Sequence, residues 1–469
     1  MMSDEKVVTH QTSPVLQRLR RVLAVTLAAI AGHAICAPPS AHALPSFARQ
    51  TGLPCTKCHT NFPTLTPFGR DFKLHGYVMR GGERTGSWQD IFKDVHLAAM
   101  AMPSFTHTNQ GQPGGAAPGD FGDNDNFAVT QYSLFYGGRL FWKIGAFVQG
   151  TYDGVAHQWA IDNTDIRFAD VTTLADRSLT YGVTFNNNPT VQDLWNTTPA
   201  WGFPFSGSGL APTPGAAALL QGSLAQQVFG FGTYAMWDDL VYGEVSAYRT
   251  LGQNIQSSFG VDPTGEAEIN VLAPYWRLAL QRAWGSNYLE VGHYGLWANT
   301  YPGRDQSAGT DTSSDIGFDA QYQFFSAQHD VTVLSTYLHE NDDWNASHKL
   351  ALTDRGTTQL NTFNLTGSYL YDKTYGLTVS FFDISGHSDA ALFANNPTGS
   401  PDSYGEIIQL DYLPFNKSGG PAFWPYSSVK LSLQYTLYQK FDGSHSNVDG
   451  AGRTASDNNT LYLEAWIVL

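Results

Sequence analysis

The sequence is poor in several residue types that would indicate other classes of protein. Its 469 residues include only three cysteines and six methionines, and charged residues make up 14% of the chain. The 26 basic residues are outnumbered by 41 acidic ones, and the formal net charge of −15 disfavours nucleic-acid binding and suits cations. We find no hydrolase, kinase or nucleic-acid-binding motif, and beyond the N-terminal region no apolar run is long enough for a transmembrane helix. We therefore predict no catalytic side chain and no nucleic-acid partner.

The first 43 residues have the features of a secretory signal peptide. A basic segment with three arginines precedes an apolar run at 22–31 that is too short for a permanent anchor, and residues 41–43 fit the A-x-A cleavage rule. We predict a signal peptide over 1–43, with a retained anchor helix as the alternative. Cys36 lies in the removed part, so the exported chain keeps only Cys55 and Cys58.

These two cysteines and the residue after them form the motif C-x-x-C-H, which ends at His59. This spacing is the attachment signature of a c-type haem, in which the thiols form thioether links and the imidazole binds the iron. A structural disulfide, half of a zinc site and a thioredoxin-like redox pair are the alternatives. A zinc site needs a second pair of ligands, and a thioredoxin-like pair lies in a βαβ unit. We predict one covalent haem c, anchored by Cys55 and Cys58, with His59 as the proximal ligand.

The haem motif belongs to a small first domain, which we predict over residues 44–92. It contains one short helix that ends at Gly76. Fewer than fifty residues bury little apolar surface by themselves, and a covalently held haem would supply the missing core. Arg70 and Lys73 on this helix could pair with the haem propionates, or they could belong to a solvated basic face.

From residue 93 to 469 the pattern changes to an alternation with a period of two. In one segment Val429, Leu431 and Leu433 share one face, and Lys430 and Ser432 share the other. Segments of about ten residues with this alternation are the signature of an outer-membrane β-barrel. We predict an all-β fold, a 16-stranded antiparallel barrel with a helical haem plug. The predicted strands are 94–105, 127–137, 141–152, 159–169, 177–187, 227–237, 240–249, 274–282, 287–298, 313–324, 329–339, 360–371, 374–385, 403–413, 428–439 and 459–469.

The connections between the predicted strands support a membrane barrel. From the sixth strand onward short turns alternate with long loops, and the link 414–427 is the one exception. Bacterial barrels have short periplasmic turns and long outer loops, and an even strand count places both termini in the periplasm. A soluble β-sandwich or propeller, the alternative, does not account for this asymmetry. We predict that the protein lies in the bacterial outer membrane.

A haem fused to a barrel of this size points to electron transfer. Sixteen strands enclose a lumen wide enough for a small plug. A haem held inside the lumen would shorten the electron path to both faces of the membrane. We predict a conduit for electrons, with two alternatives: a transport porin whose haem domain is a regulatory or structural plug, and a conduit that reduces an extracellular acceptor.

Two segments resemble the monohaem cytochrome–porin fusion family of iron-oxidising bacteria. The first runs from residue 45 to 74 and reads PSFARQTG, then CxxCHT, then FPxLTPFGRxFKL. The second, at 181–204, reads YGVTFNNNPTVQDLWNTTPAWGFP. The resemblance implies an outer-membrane oxidoreductase that oxidises extracellular Fe(II) and passes electrons to a periplasmic carrier, either a c-type cytochrome or a copper protein. Iron enters through this resemblance and not through composition or periodicity.

The distal iron ligand is open between several residues. Met100 and Met102 share the face of the first strand that should point into the lumen. Thioether ligation raises the reduction potential, as electron acceptance from Fe(II) requires. We therefore favour Met100 or Met102, then His75 and then Met79. The alternative is that the methionines only pack the plug against the wall.

Two acidic clusters are weaker candidates for docking Fe(II), because carboxylates and imidazole suit this ion. They comprise Asp120, Asp123 and Asp125 in one loop, and Glu340, Asp342, Asp343 and His348 near another. Solvated loop charge and adventitious calcium binding are the alternatives.

Overall fold

A computed structural model describes residues 44–79, 96–112, 115, 120–261, 267–394, 396–418 and 427–469. The predicted signal peptide over 1–43 lies outside the described residues, as does the predicted boundary between the two domains at residue 92.

One closed antiparallel sheet forms the barrel. Sixteen long strands build it, and β8 is a two-residue strand beside β10. The strands are β1 (Leu97–Thr108), β2 (Asn126–Phe141), β3 (Ile144–Asp153), β4 (Gln158–Leu174), β5 (Arg177–Asn186), β6 (Val228–Trp237), β7 (Val241–Thr250), β8 (Glu268–Ile269), β9 (Ala273–Trp284), β10 (Asn287–Tyr301), β11 (Asp311–Phe325), β12 (His329–Asp343), β13 (Thr357–Tyr371), β14 (Tyr375–Gly386), β15 (Ser403–Tyr412), β16 (Ser428–Lys440) and β17 (Thr460–Val468). The first strand closes the barrel, because β1 pairs with both β2 and β17. The predicted 16-stranded antiparallel barrel is confirmed.

The period-two alternation determines which side of each strand faces the lumen. In β16 the side chains of Lys430 and Gln434 are buried inside, whereas Leu433 is 41% exposed on the outside. Leu365 in β13 and Leu278 in β9 are likewise exposed on the outer surface. Polar residues therefore line the lumen and apolar residues cover the outside, which is the arrangement that a barrel in lipid requires.

The two ends of the barrel differ in the length of their connections. At the end that also carries both ends of the barrel sequence, pairs such as Asp372 and Lys373 have positive φ, as in type I′ hairpin turns. The opposite end carries the long loops, including 187–227, 251–272 and 441–459. Within the described part of the chain, no α-helix is long and apolar enough to cross a bilayer.

Residues 44–79, here called the plug segment, form three short helices. They are α1 (Pro45–Thr51), α2 (Cys55–Cys58) and α3 (Pro67–Leu74). Proline opens both α1 and α3, where its missing N–H costs nothing. The Thr66 hydroxyl caps α3 by accepting a hydrogen bond from the Gly69 N–H at 3.2 Å. Gly52, at φ 67°, ends α1 in the left-handed region.

The plug segment lies inside the barrel. Its polar side chains contact strands that are far apart around the wall, which is possible only from the lumen. The contacts are Tyr77 Oη to Asp165 Oδ2 of β4 at 2.6 Å, Arg70 Nη1 to Gln321 Oε1 of β11 at 2.7 Å, and Asn61 Nδ2 to Asp411 Oδ2 of β15 at 2.6 Å. The Phe62 carbonyl also accepts a hydrogen bond from Lys430 of β16 at 3.0 Å.

A second segment fills the lumen from the end that carries the long loops. Residues 187–227 between β5 and β6, here called the inward loop, fold back into the barrel. Trp195 in this loop is fully buried, and its Nε1 donates to the Tyr288 hydroxyl of β10 at 2.8 Å. The Thr336 hydroxyl of β12 donates to the Thr197 carbonyl at 2.5 Å. In the sequence this stretch is the connection between the predicted strands 177–187 and 227–237, and its inward fold was not predicted.

Candidate cofactor site in the lumen

The C-x-x-C-H motif and residues of the barrel wall line one cavity inside the barrel. Its volume is about 420 Å³, within the range of small-molecule sites. Cys55, Cys58 and His59 line one part of it, and residues of β1, β2, β3, β16 and β17 line another. Met100, Trp466 and Val468 lie close to the strand ends at the barrel end with the short turns. The cavity therefore reaches the half of the barrel nearer to those turns.

His59 is oriented by a backbone carbonyl. Its Nδ1 lies 3.1 Å from the Pro63 carbonyl oxygen, so Nδ1 carries the proton and Nε2 has the lone pair. A metal-binding histidine commonly donates its other ring N–H in this way. Burial lowers the pKa of the imidazole to about 4, against smaller opposite effects of its hydrogen bonds. His59 is half-buried and belongs to the cavity lining. His59 is thus held in the neutral form that binds iron.

The two thiols are presented by α2, a single turn of helix, and both are buried. Burial raises the pKa of the Cys58 thiol to about 11, partly offset by the charge of Lys57. Helix α2 is held against α3 at Gly69, where a Cβ would lie 2.3 Å from the Cys58 carbonyl oxygen. Only glycine permits this approach, and it fixes the motif at the cavity.

The rest of the lining suits a flat apolar group. Aromatic rings from the plug segment and from the wall surround the cavity, with edge-to-face and tilted contacts among them. They are Phe47, Phe62, Phe72, Phe135, Phe147 and Trp466. Two thiols at thioether spacing, a neutral imidazole with an oriented Nε2 and an apolar enclosure are together the donor set of a c-type haem. The residues present therefore fit that group.

The candidate distal ligands do not all reach the cavity. Met100 is buried in β1 and is part of the lining. Met102 lies two residues further along the same inner face but packs outside the lining. His75 bonds through Nδ1 to the Asp71 carbonyl at 2.8 Å, and neither it nor Met79 belongs to the lining. Of the four candidates only Met100 lines the cavity that the motif also lines.

The two basic residues of α3 have different surroundings. Arg70 is directed at the wall, where it bonds to Gln321 and Gln323 and lies 3.9 Å from the Tyr288 ring centroid. Lys73 lines the cavity, and its Nζ donates to the carbonyls of Val191 (2.8 Å) and Asp193 (2.5 Å). Burial, with the charge of Arg167, lowers the pKa of Lys73 to about 7. Lys73 is therefore the basic residue of α3 that lines the cavity, and Arg70 is not.

The inward loop roofs the cavity on the side of the long loops, a role that the sequence analysis missed. Its contribution to the lining is Asn196, Pro199, Ala200, Trp201, Gly202, Pro204 and Phe205. The segment 181–204, quoted above for its resemblance, contains most of these residues. That resemblance was therefore the one signal in the sequence that could have located the roof.

Buried charges hold this loop in place. Arg277 of β9 is fully buried and pairs with Asp193 of the inward loop at 3.2 Å. It also pairs with Glu290 at 3.3 Å and Asp319 at 2.7 Å. The Asp193 carboxylate accepts backbone N–H groups of the following turn, from Trp195, Thr197 and Thr198. The loop is thus tied to the wall and stiffened from within by one aspartate.

The acidic clusters do not form a metal site. Among the described residues, no group of three or more His, Cys, Asp or Glu side chains could hold a metal ion. Asp125 pairs with His107 at 2.7 Å and Asp120 with His157 at 3.3 Å. Glu340 accepts the Leu219 N–H of the inward loop at 2.6 Å. These acids hold loops together, and the same result gives the half-zinc interpretation of the cysteine motif no support.

Comparisons with known proteins find distant similarity in fold. No family model matches the sequence, and no curated protein is detectably similar to it. Among solved structures, an anion-selective porin from Comamonas acidovorans shares 12% identity with a TM-score of 0.43, covering 79% of this chain and 98% of that one. The outer membrane channel DcaP of Acinetobacter baumannii shares 13% identity with a TM-score of 0.43, covering 80% and 97%. OmpF of Salmonella typhi shares 12% identity with a TM-score of 0.44, covering 80% and 97%. Similarity this distant supports no inference about function.

Proposed function

We propose that the protein is an outer-membrane electron conduit with one covalent haem c in its lumen. It acts as an oxidoreductase that takes one electron from extracellular Fe(II), leaving Fe(III), and delivers the electron to a periplasmic c-type cytochrome or copper protein. The observation that carries the proposal is that Cys55, Cys58 and His59 line one cavity together with Met100 of the barrel wall. The resemblance described above supplies Fe(II) as the donor.

The chain's own residues supply most of what such a site needs. Cys55 and Cys58 would anchor the group, and His59 offers Nε2 because Nδ1 is bonded to Pro63. Met100 would offer its thioether as a further ligand to the iron, and thioether ligation raises the potential relative to a second imidazole. Lys73 places a basic amine at the cavity. When bound, the haem supplies one-electron chemistry that no side chain in the cavity can supply.

The position in the barrel favours electron transfer over transport. The apolar band of a membrane barrel is about 25 Å tall. A group inside the lumen lies nearer to the outer face than one in the periplasm. The plug segment and the inward loop, which occupy the lumen around the cavity, hinder the passage of solutes. We assign the long loops to the outside of the cell, and the short turns and both termini to the periplasm.

Spectroscopy of the purified, haem-loaded protein tests the proposal. We expect Fe(II), added at the growth pH, to produce the absorption bands of the reduced haem. The double variant Cys55→Ala/Cys58→Ala should carry no covalent haem and show no such change. If added Fe(II) leaves the covalent haem oxidised, the proposal of Fe(II) oxidation is overturned. A strongly negative reduction potential would indicate electron flow in the reverse direction, to an extracellular acceptor.

A transport porin with a haem-bearing plug is the second candidate. The closed sixteen-strand barrel with a polar lumen favours it. Conductance in planar bilayers separates the two functions. An electron conduit with a filled lumen should give little ionic current. Large, steady channels from the unmodified protein would favour the porin.

A further inference from the structure

Asn196 of the inward loop connects the roof of the cavity to the histidine of the motif. It is only 2% exposed, and its φ of 57° lies in the left-handed region, which asparagine tolerates better than most residues. Its Nδ2 donates to the Pro63 carbonyl at 3.1 Å. Since that carbonyl can only accept, the contact fixes which side of the Asn196 amide faces Pro63.

The Pro63 carbonyl oxygen therefore has two donors. His59 Nδ1 and Asn196 Nδ2 each lie 3.1 Å from it, one from the plug segment and one from the inward loop. Two donors share the electron density of one acceptor, so each hydrogen bond is weaker than it would be alone. The strength of the bond to His59 Nδ1 controls how basic the imidazole is as a metal ligand.

The other side of the Asn196 amide points away from any protein partner. Its Oδ1 is buried and has no hydrogen-bond partner in the described protein. Asn196 also lines a second cavity of about 250 Å³, together with Thr197, Gln221 and Thr336. Asparagine tolerates this positive φ, so the backbone holds the side chain in this position although one amide atom has no partner in the described protein. The Nδ2 contact is what the conformation secures.

We propose that Asn196 is a positioning residue that weakens the hydrogen bond between Pro63 and His59. This inference rests on the proposed function, because it concerns a haem iron bound at His59 Nε2. A weaker bond at Nδ1 makes the imidazole a poorer electron donor to iron. Fe(III) is then less stabilised relative to Fe(II), and the reduction potential rises. The inward loop thus adjusts the potential without touching the iron.

The test compares reduction potentials of haem-loaded variants by spectroelectrochemistry. Asn196→Gly removes the donor and accommodates the positive φ. Asn196→Asp keeps the shape and the backbone preference but cannot donate. Asn163→Ala is the matched control: it removes another amide from the same cavity lining, and its bonds are to Asp162 and Asn188 rather than to Pro63. Each variant is used at equal covalent haem content and with an unchanged low-spin spectrum.

We expect both Asn196 variants to shift the potential to lower values, with Asn163→Ala close to the unmodified protein. If Asn196→Gly and Asn163→Ala have the same potential, the inference is overturned, while reduction by Fe(II) in the unmodified protein would leave the proposed function standing. An equal fall in the reduction potential of all three variants would indicate that solvent enters the cavity, and it would also overturn the inference. If the unmodified protein carries no covalent haem, the proposed function itself fails.

Discussion

At the scale of single residues, the proposed site depends on which nitrogen of His59 faces the cavity and on which methionine lines that cavity. The imidazole is neutral because burial opposes its charge, and Pro63 determines the tautomer. Met100 and Met102 share one face of β1, yet only the former lines the cavity. A difference of two residues along one strand therefore separates a possible iron ligand from a packing residue.

This difference leads to a prediction for the distal ligand. Met100→Leu keeps the apolar volume, so the loss in the free energy of unfolding should stay below about 1.5 kcal/mol. It removes the thioether, so the haem should lose its six-coordinate low-spin spectrum and its potential should fall. Met102→Leu is the control and should leave the spectrum unchanged. A normal low-spin spectrum in Met100→Leu would exclude Met100 as the ligand.

At the scale of helices and loops, close contacts between short elements hold the motif in position. Helix α2 has one turn and no stability of its own. It is kept in place by α3, because Gly69 allows the Cys58 carbonyl to approach. The inward loop is likewise ordered by its contacts with the wall, through the salt bridges of Arg277.

Gly69→Ala should separate α2 from α3. Its Cβ would meet backbone atoms that cannot rotate away, at a cost of about 1–3 kcal/mol. We expect a lower thermal midpoint and less covalent haem per polypeptide. Gly207→Ala is a matched control, since an added Cβ there meets nothing within 4 Å. Equal haem content in the two variants would contradict this account of the contact.

Asp193→Ala should loosen the inward loop. It leaves Arg277 with fewer partners and removes the acceptor for three backbone N–H groups. Breaking a buried ion pair costs about 3–5 kcal/mol, so we expect local opening and a larger conductance in planar bilayers. Asp389→Ala is the control, because Asp389 also accepts several backbone N–H groups but lies in the loops outside the barrel. Unchanged conductance in Asp193→Ala would show that the loop is held by other contacts.

At the scale of the whole molecule, the barrel has an apolar outer surface and a polar inner surface. It surrounds the plug segment and the inward loop. The outer surface exposes leucine, valine and aromatic side chains at alternate positions of most strands. The lumen side carries the hydrogen-bonding groups that the plug segment and the inward loop use. The same alternation of apolar and polar residues thus provides the outer surface that faces lipid and the inner surface that binds the two segments.

A charge on the outer surface tests the membrane assignment. Leu433→Arg in β16 should make folding into lipid less favourable by about 2–4 kcal/mol, because arginine near the bilayer midplane is poorly solvated. Leu352→Arg is the control: Leu352 is 50% exposed but lies in the long connection between β12 and β13. Denaturant titration in vesicles measures both variants. If the two arginines cost the same, lipid does not surround this part of β16.

The proposed electron transfer across a membrane requires the complete molecule. In vesicles that contain the haem-loaded protein and a trapped oxidised cytochrome c, Fe(II) added outside should reduce the trapped cytochrome. Vesicles with Cys55→Ala/Cys58→Ala should not do so, because their protein holds no haem. The barrel alone would not move electrons. Equal reduction in both preparations would show that Fe(II) leaks or reacts without the site.

The sequence alone determined the barrel, the strand positions and the haem motif. Alternation along a strand and the spacing of C-x-x-C-H are local properties of the sequence, so they can be recognised before the fold is known. Only the tertiary structure shows that Met100 and not Met102 lines the cavity, that Arg70 and Lys73 have different surroundings, and that 187–227 folds inward. These features depend on which side chains from separate segments of the chain meet inside the lumen. Asn196 shows this most clearly, because its partner Pro63 lies in another segment and no local pattern joins the two.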